Sequence, residues 1–307
     1  MSAELMYGQP VADQIDARVR AEVDAFRKAH HVIPRLDVVQ VGKSPASQRY
    51  VAKKLEACER LGMCGRLHLF EDNVTGAELL EHVRGLSQDR DVHGVLVQLP
   101  LPMPIEEPQP GEAGKFEIFD AIAPEKDVDG VARSSVPELY RAQRHELMFL
   151  PCTPLGVLRM LAYYKIPTQG KVAVAVGRND ITSKPMHHIL GGRICNATAI
   201  WVHRYTRKED HDAFLRQADI IVTSVGNVNY RVTAAMVKPG AVVIDVGTRV
   251  DPDGKLKGDA DPDVRTVASF VTPVPKGVGP VTVAALGENL IRAARFCLGV
   301  GRRGYEF

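Results

Sequence analysis

Residues 36–62 read LDVVQVGKSPASQRYVAKKLEACERLG, and this stretch decides the fold. Leu36 to Val41 is a short apolar strand and Gly42 to Ser47 a loop. The helix that follows runs to about Leu61, and Gly62 ends it, as glycine often does. Strand, loop and helix in this order open a βαβ unit, and repetition of that order implies a mostly parallel sheet. Within the helix Tyr50 and Lys54 are four residues apart, so their side chains share one face about one turn apart. A phenol beside an ammonium can handle protons, and desolvation moves a lysine pKa toward neutrality. On spacing alone a solvated surface pair is the commoner arrangement, so the surrounding chain has to decide.

Outward from this unit the alternation continues. Upstream, Val11, Ile15, Val19, Val23 and Phe26 form one apolar stripe and predict a helix over residues 11–30. Downstream, Leu67 to Phe70 reads as a strand and Thr75 to Gln88 as a helix with Thr75 as N-cap. Val92 to Leu99 is a continuous apolar run typical of a buried parallel strand. Pro100 to Gly114, rich in proline, acid and glycine, reads as an irregular loop. Near Leu150 to Pro154 the composition shifts and a second series begins. It comprises helices over 155–164, 185–190 and 210–217, with strands over 171–176, 197–202, 220–224 and 242–246. A last helix, from about Val283 to Leu298, is long enough to pack back on the first domain. The expected fold class is α/β in two domains. Residues 1–149 form an N-terminal α/β domain joined by the C-terminal helix 283–307, and residues 150–282 a Rossmann-type doubly wound parallel sheet.

The 307 residues fit two domains, each able to bury a core. With 45% hydrophobic and 25% charged residues the chain has the composition of an ordinary globular protein. Its 39 basic and 37 acidic residues leave a net charge of +2, which points to neither a nucleic-acid nor a membrane partner. Cys58, Cys64, Cys152, Cys195 and Cys297 are scattered and show no CxxC or Cys/His ligand spacing. Reduced cysteines in a cytoplasmic protein are the expectation. The N-terminal MSAELMYGQPVADQ carries no secretory pattern, and no apolar run reaches the roughly 20 residues that span a bilayer.

Ligands of open parallel sheets bind outside the carboxyl ends of strands, and several strand ends here carry polar groups. Gln98 closes Gly94-Val95-Leu96-Val97-Gln98 and is placed to bond a neighbouring ammonium, or simply to satisfy local backbone. Lys126-Asp127-Val128-Asp129-Gly130 sets two carboxylates two residues apart. In an extended strand both would point one way and could accept paired N–H groups of a heterocycle; an Asp-rich turn before glycine is the alternative. In the second domain Val176-Gly177-Arg178-Asn179-Asp180 follows a strand and precedes a helix containing Pro185. Helix-start N–H groups attract phosphate, and Arg178 adds a planar charged fork, although the GxGxxG fingerprint is absent. His203-Arg204-Tyr205-Thr206 ends the next strand, where dinucleotide folds read the adenosine ribose; Arg204 there suits a phosphate or is a plain surface cation. Residues 272–282, TPVPKGVGPVT, form the most unusual string, whose prolines and glycines suit a ligand-facing loop or a rigid turn. The pairs His30-His31 and His187-His188 have no partner at ligand spacing, so no metal site is expected.

The strings VGKSPASQRYVAKKLEACERLGM, HGVLVQLPLP, APEKDVDG, PCTPLGV, VGRNDITSKP, ADIIVTSVG, GAVVIDVG and TPVPKGVGPVT occur in this order over about residues 37–286. Together they resemble the bifunctional methylenetetrahydrofolate dehydrogenase/methenyltetrahydrofolate cyclohydrolase family, the FolD type. The resemblance implies a homodimer whose subunits place an active cleft between a catalytic and a cofactor domain. It implies oxidation of 5,10-methylenetetrahydrofolate and hydrolysis of the methenyl product to 10-formyltetrahydrofolate. Lys54 becomes the central proton handler, Tyr50 a stacking and shaping group beside the pterin, and Gln98 the partner that tunes Lys54. Asp129 would hold the pterin amino and N3 positions. Val97, Leu99, Pro275, Gly277, Val278, Gly279 and Pro280 would join the folate side, and Gly177, Arg178, Asn179, Arg204 and Thr248 the cofactor side.

Departures from the family pattern bear on the cofactor. Asn179 stands where serine is common, Ile181-Thr182-Ser183 replaces Ile-Val-Gly, Thr248 replaces isoleucine, and Lys276 enters the usual PGGVGP. The loop between LPLP and KDVDG is also longer than usual. HRYT resembles the mitochondrial NAD-preferring branch, where two arginines and an aspartate hold inorganic phosphate and magnesium, yet Asn196 occupies the aspartate position. NADP, with Arg178 and Arg204 around its 2′-phosphate, is therefore the expected cofactor, and NAD with inorganic phosphate the alternative. Two other functions share features of this pattern. Short-chain dehydrogenases also use Tyr-x3-Lys, but there the glycine-rich cofactor motif precedes the pair in one domain, and here the order is reversed. A degenerate paralogue that binds folate or nucleotide without turnover is the other.

Overall fold

Parallel strands organise both halves of the chain, as the βαβ order requires. The computed structural model describes residues 2–141, 148–251, 254–302 and 304–306. In chain order the first elements are β1 (Glu4–Leu5), α1 (Gly8–His30), β2 (Arg35–Val41), α2 (Pro45–Arg60) and β3 (Cys64–Phe70). They are followed by α3 (Gly76–Gln88), β4 (Gly94–Val97), α4 (Met103–Glu106), α5 (Lys115–Asp120) and α6 (Val136–Arg141). The later half holds α7 (Cys152–Tyr163), β5 (Val172–Val176), α8 (Ser183–Gly191), β6 (Thr198–Val202), α9 (Lys208–Gln217) and β7 (Ile220–Thr223). It ends with β8 (Val242–Asp245), β9 (Arg249–Val250), β10 (Leu256–Lys257), β11 (Phe270–Val271) and α10 (Val278–Cys297).

Two units result. One comprises Gln14–Cys152 and Val283–Gly304, the other Met1–Asp13, Thr153–Thr282 and Tyr305–Phe307. In the first, β3-β2-β4 form a parallel sheet whose middle strand is buried almost throughout. Leu79, Val83 and Leu86 of α3 meet Val39, Val95 and Val97 of the sheet in one apolar cluster with Ile105, Ile118 and Phe119. The start of α3 is fixed by a capping box: the Glu78 N–H donates to the Thr75 hydroxyl, and the Thr75 N–H donates back to the Glu78 carboxylate. The chain passes from β2 to β3 on one side and then to β4 on the other, so strand order reverses at β2.

The second unit is a six-stranded parallel sheet in the order β1-β11-β8-β7-β5-β6, with a small β9/β10 hairpin beside it. Its order reverses at β5, which pairs with β6 on one side and β7 on the other. Such a switch point opens a crevice at the carboxyl ends of the strands.

Three sequence expectations need correction. Residues 1–13 belong with the second unit rather than with 1–149, because β1 pairs with β11. Both strands are two residues long, too short for any alternation to register. The irregular loop over 100–114 contains α4. The terminal helix starts at Val278 rather than Val283, so Val278, Gly279 and Pro280 form its first turn instead of a loop. Proline is at home there, since its missing N–H has no partner to lose in a first turn.

Candidate active site and cofactor cleft

In the first unit the switch point at β2 brings α2 and the end of β4 together. Lys54 Nζ donates to Gln98 Oε1 at 2.9 Å, and Gln98 Nε2 donates to the Leu99 carbonyl at 2.7 Å. The second bond fixes which end of the amide faces the lysine: a carbonyl can take only the N–H₂ end, so the oxygen is left for the amine. Lys54 keeps some solvent contact along its stem, yet its amine end is enclosed by protein. That burial lowers its pKa below the ordinary lysine value, against the nearby Asp129 carboxylate, which raises it.

The two aspartates of KDVDG do not share a role. The segment is a turn, not an extended strand, with the Gly130 N–H donating to the Asp127 carbonyl at 3.1 Å. Asp127 is fully buried and accepts from the Val131 N–H, the Ala132 N–H and the Ser135 hydroxyl. Its carboxylate is consumed in shaping the turn, although burial raises its pKa. Asp129 stays partly exposed and faces Lys54 and Cys152. Tyr50 shares α2 with Lys54 and is 42% exposed, and among the described residues its hydroxyl has no hydrogen-bond partner. Val97 is buried in the apolar cluster on the α3 side and the half-buried Leu99 packs against it, while the Gln98 side chain meets Lys54.

Two residues of this unit escaped the sequence reading. Asn289, fully buried on α10, donates to the Val128 carbonyl at 2.8 Å and to the Leu150 carbonyl at 2.9 Å. Cys152 Sγ donates to the same Val128 carbonyl at 3.3 Å, and burial beside Asp129 pushes its thiol well above the ordinary range. Together they clamp the turn that presents Asp129. Only proximity in the fold reveals this, because 161 residues separate Asn289 from Val128.

In the second unit a cleft of about 870 Å³ opens at the β5 switch point. Its walls come from the ends of three strands: Gly177, Arg178 and Asn179 after β5, His203 and Arg204 after β6, and Ser224, Val225 and Asn227 after β7. Gly177, at φ 122°, cannot carry a side chain, since a Cβ would lie 2.6 Å from the Ser224 carbonyl. Asn179 is spent on the scaffold. Its Oδ1 accepts from the N–H groups of Thr182 and Ser183, and its Nδ2 donates to both oxygens of Ser224. The start of α8 is thereby capped from within, so the expected helix-start N–H groups at Thr182 and Ser183 are already committed.

The cations of the cleft differ in their partners. Lys184 pairs with Asp180 and Lys208 with Asp212. Among the described residues no carboxylate lies within ion-pair distance of Arg178 or Arg204, each of which instead lies over the ring of Tyr205. Thr248 is exposed after β8 and is not among the cleft residues; its carbonyl packs against Gly226. Asn196 is likewise outside the cleft, with its amide donating to the Arg193 carbonyl. Behind the β7 loop the buried Asp259 accepts from the Thr223 hydroxyl and the N–H groups of Val225 and Gly226. Burial pushes the adjoining Asp245 carboxyl up to about 7, against the N–H groups of Ala260, Asp259 and Gly247 that hold it down.

The segment TPVPKGVGPVT lies in the second unit. Pro275 and Gly279 are exposed, Pro280 is half-buried, and Gly277 and Val278 are buried. A Cβ on Gly277 would lie 2.5 Å from the Pro273 carbonyl, so this glycine serves the turn itself. Val278 is a core residue at the start of α10 and offers no free side chain.

Comparison with known proteins covers nearly the whole chain. Residues 6–129 match the family described as tetrahydrofolate dehydrogenase/cyclohydrolase, catalytic domain. Residues 151–297 match the NAD(P)-binding domain of the same family. The chain is 41% identical to the bifunctional protein FolD of Anoxybacillus flavithermus over 96% of its own length and 99% of that protein. The crystal structure of the bifunctional FolD dehydrogenase/cyclohydrolase of Campylobacter jejuni superposes with a TM-score of 0.85 at 37% identity, covering 96% of this chain and 99% of that one. The Trypanosoma brucei dehydrogenase-cyclohydrolase, solved with NADP and an inhibitor, gives a TM-score of 0.88 at 32% identity over 97% and 99%.

Proposed function

This chain belongs to the tetrahydrofolate dehydrogenase/cyclohydrolase family, and from that premise we propose that it carries out both reactions, with Lys54 as the proton handler. It oxidises 5,10-methylenetetrahydrofolate to the methenyl form with NADP and hydrolyses that product to 10-formyltetrahydrofolate. The observation that carries the assignment of Lys54 is its enclosed amine, 2.9 Å from Gln98 Oε1 at the β2 switch point.

Bound NADP supplies the hydride acceptor; the protein supplies position and field. Removal of hydride leaves a cationic carbon between N5 and N10, and an ammonium beside it would repel it. Burial lowers the pKa of Lys54 and so favours the neutral amine, which tolerates that cation. The neutral amine can also take a proton from the water that attacks the carbon, and return it as the ring opens. Gln98 holds the amine by its Oε1 without adding charge. Asp129 accepts the pterin amino and N3 hydrogens, a pairing suited to a carboxylate with two oxygens. Tyr50 stacks on the pterin, and in the second unit Pro275, Gly279 and Pro280 are the residues of the proline- and glycine-rich segment that stay at least partly exposed to a ligand.

The chemistry of the second unit fits NADP. Where a fold reading NAD sets a carboxylate for the ribose hydroxyls, β6 leads into His203 and Arg204. Arg178 and Arg204 line the cleft without carboxylate partners among the described residues, as a 2′-phosphate site requires. Gly177 and Asn179 shape the adjoining loop.

The chain works as a homodimer in this reading. The edge strand β3 exposes Leu67 and Leu69 at 43% and 44%, two apolar side chains on one face beside an unpaired strand edge. Its place is the cytoplasm: the five cysteines are free thiols, and no helix among the described residues is long and apolar enough to cross a membrane.

The test is turnover. Purified protein with 5,10-methylenetetrahydrofolate and NADP is expected to form NADPH and 10-formyltetrahydrofolate. Lys54→Met should cut the hydrolytic step by about a hundredfold or more, the range lost with a general base. An unchanged hydrolytic rate in that variant removes Lys54 from the mechanism.

A further inference from the structure

Five aromatic rings run in series from α8 along the edge strand β6 to the cofactor cleft. His188 meets His187 at 5.2 Å, and His187 stacks on Trp201 at 5.9 Å. Trp201 meets His203 edge-on at 5.3 Å, and His203 meets Tyr205 at 6.2 Å. Trp201 lies in β6, and His203 and Tyr205 in the turn that follows it, where the Thr206 N–H donates to the His203 carbonyl at 2.8 Å. Two further bonds tie the row to the cleft. Trp201 Nε1 donates to the Gly177 carbonyl at 2.6 Å, and the Tyr205 N–H donates to His203 Nδ1 at 3.3 Å.

At the end of the row the Tyr205 ring lies under two guanidiniums, Arg204 at 4.9 Å and Arg178 at 5.3 Å from its centroid. Arg204 Nη2 also donates to the Tyr205 hydroxyl at 3.1 Å. Two arginines without carboxylate partners repel each other and have many rotamers to lose. An aromatic face offsets both costs, because its negative quadrupole attracts each cation and fixes the plane of each fork.

We propose that Tyr205 is a positioning residue for cofactor specificity, its ring gathering Arg178 and Arg204 so that both meet one dianionic ribose phosphate. The proposal rests on the NADP reading above and names what organises the two arginines. Trp201, through Gly177, steadies the loop that carries Arg178. The same row packs His187 against both His188 and Trp201.

The test uses 2′,5′-ADP, which carries the ribose phosphate, and 5′-ADP, which lacks it. Both are titrated calorimetrically into the full-length protein, with Trp201, the single tryptophan, as a fluorescent reporter. Tyr205→Ala is expected to weaken 2′,5′-ADP about fivefold to thirtyfold, the loss of two exposed cation–π contacts, and to change 5′-ADP by less than about twofold. In turnover the KM for NADP should rise by a similar factor while kcat holds. Tyr205→Phe keeps the ring and should recover most of the binding, giving up only the Arg204 hydrogen bond. Unchanged 2′,5′-ADP affinity in Tyr205→Ala, or an equal loss in Tyr205→Phe, overturns the proposal. Arg204→Ala separates the two readings. If it abolishes the preference for 2′,5′-ADP while Tyr205→Ala does not, only the ring's role fails. If Arg204→Ala leaves the preference intact, the phosphate site itself is elsewhere and both readings fail.

Discussion

Both units set their functional side chains at the carboxyl ends of parallel strands where strand order reverses, at β2 in one and β5 in the other, but they furnish that position in opposite ways. The catalytic unit uses few polar groups, enclosed and bonded to one another: Lys54 to Gln98, and Asn289 and Cys152 to the turn bearing Asp129. The cofactor unit uses long cations at an open rim, with Tyr205 69% exposed beneath them. Enclosure makes each interaction strong and shifts ionisation, which suits a group that must move a proton. An open cationic rim does not need shifted pKa values; it needs charge of fixed sign that a mobile, highly charged ligand can find and leave.

The first way to break the comparison is to remove one buried bond and one exposed charge and compare folding. Asn289→Leu removes the amide donor shared by the Val128 and Leu150 carbonyls, and Val128 keeps only the weaker Cys152 thiol. It should lower the unfolding free energy by about 1–3 kcal/mol, the cost of losing a buried donor. Arg204→Ala, at the exposed rim, should stay within about 0.5 kcal/mol in the same denaturant titration. Similar losses in the two variants would mean that the catalytic turn is not held as tightly as its bonds imply.

A smaller effect should appear with salt. Exposed charges are screened over about 8–10 Å at physiological ionic strength, and enclosed groups much less. Between about 0.05 M and about 0.5 M NaCl the KM for NADP should rise about threefold or more, while hydrolysis of the methenyl substrate changes less than about twofold. Parallel salt dependence in both assays would erase the distinction between the sites.

Much of this division was legible in the sequence, because βαβ periodicity places every polar strand end at a ligand-binding edge. The strand-end position of Gln98 suited an ammonium or local backbone and the family resemblance paired it with Lys54; the side chain bonds both Lys54 and the Leu99 carbonyl. Asn179 was ambiguous, since a short amide after a strand is equally fit to touch a phosphate or to cap the next helix; it lines the cleft, and its Oδ1 holds the start of that helix. Val97 precedes Gln98 in sequence but its side chain faces the core, a consequence of strand alternation that the continuous apolar run concealed. Val278 likewise reads as part of a ligand loop, yet the terminal helix begins there. Asn289 gave no signal at all. Its partners are far away in the chain, and a lone asparagine in an apolar helix has no pattern. Tyr205 was visible within HRYT, but its neighbours were read by charge, and the ring's hold on both arginines depends on bringing two loops together.

The most direct measurement on Lys54 as an enclosed proton handler is the pH dependence of kcat/KM for methenyl hydrolysis in the wild type and in Gln98→Glu. Burial lowers the Lys54 pKa, so the wild-type rate should rise with pH through a limb below the ordinary lysine value of 10.5, as the amine loses its proton. A carboxylate at position 98 stabilises the ammonium, so the same limb should move to higher pH in the variant. A wild-type limb at the ordinary lysine value, or superimposable profiles for the two proteins, would contradict the assignment.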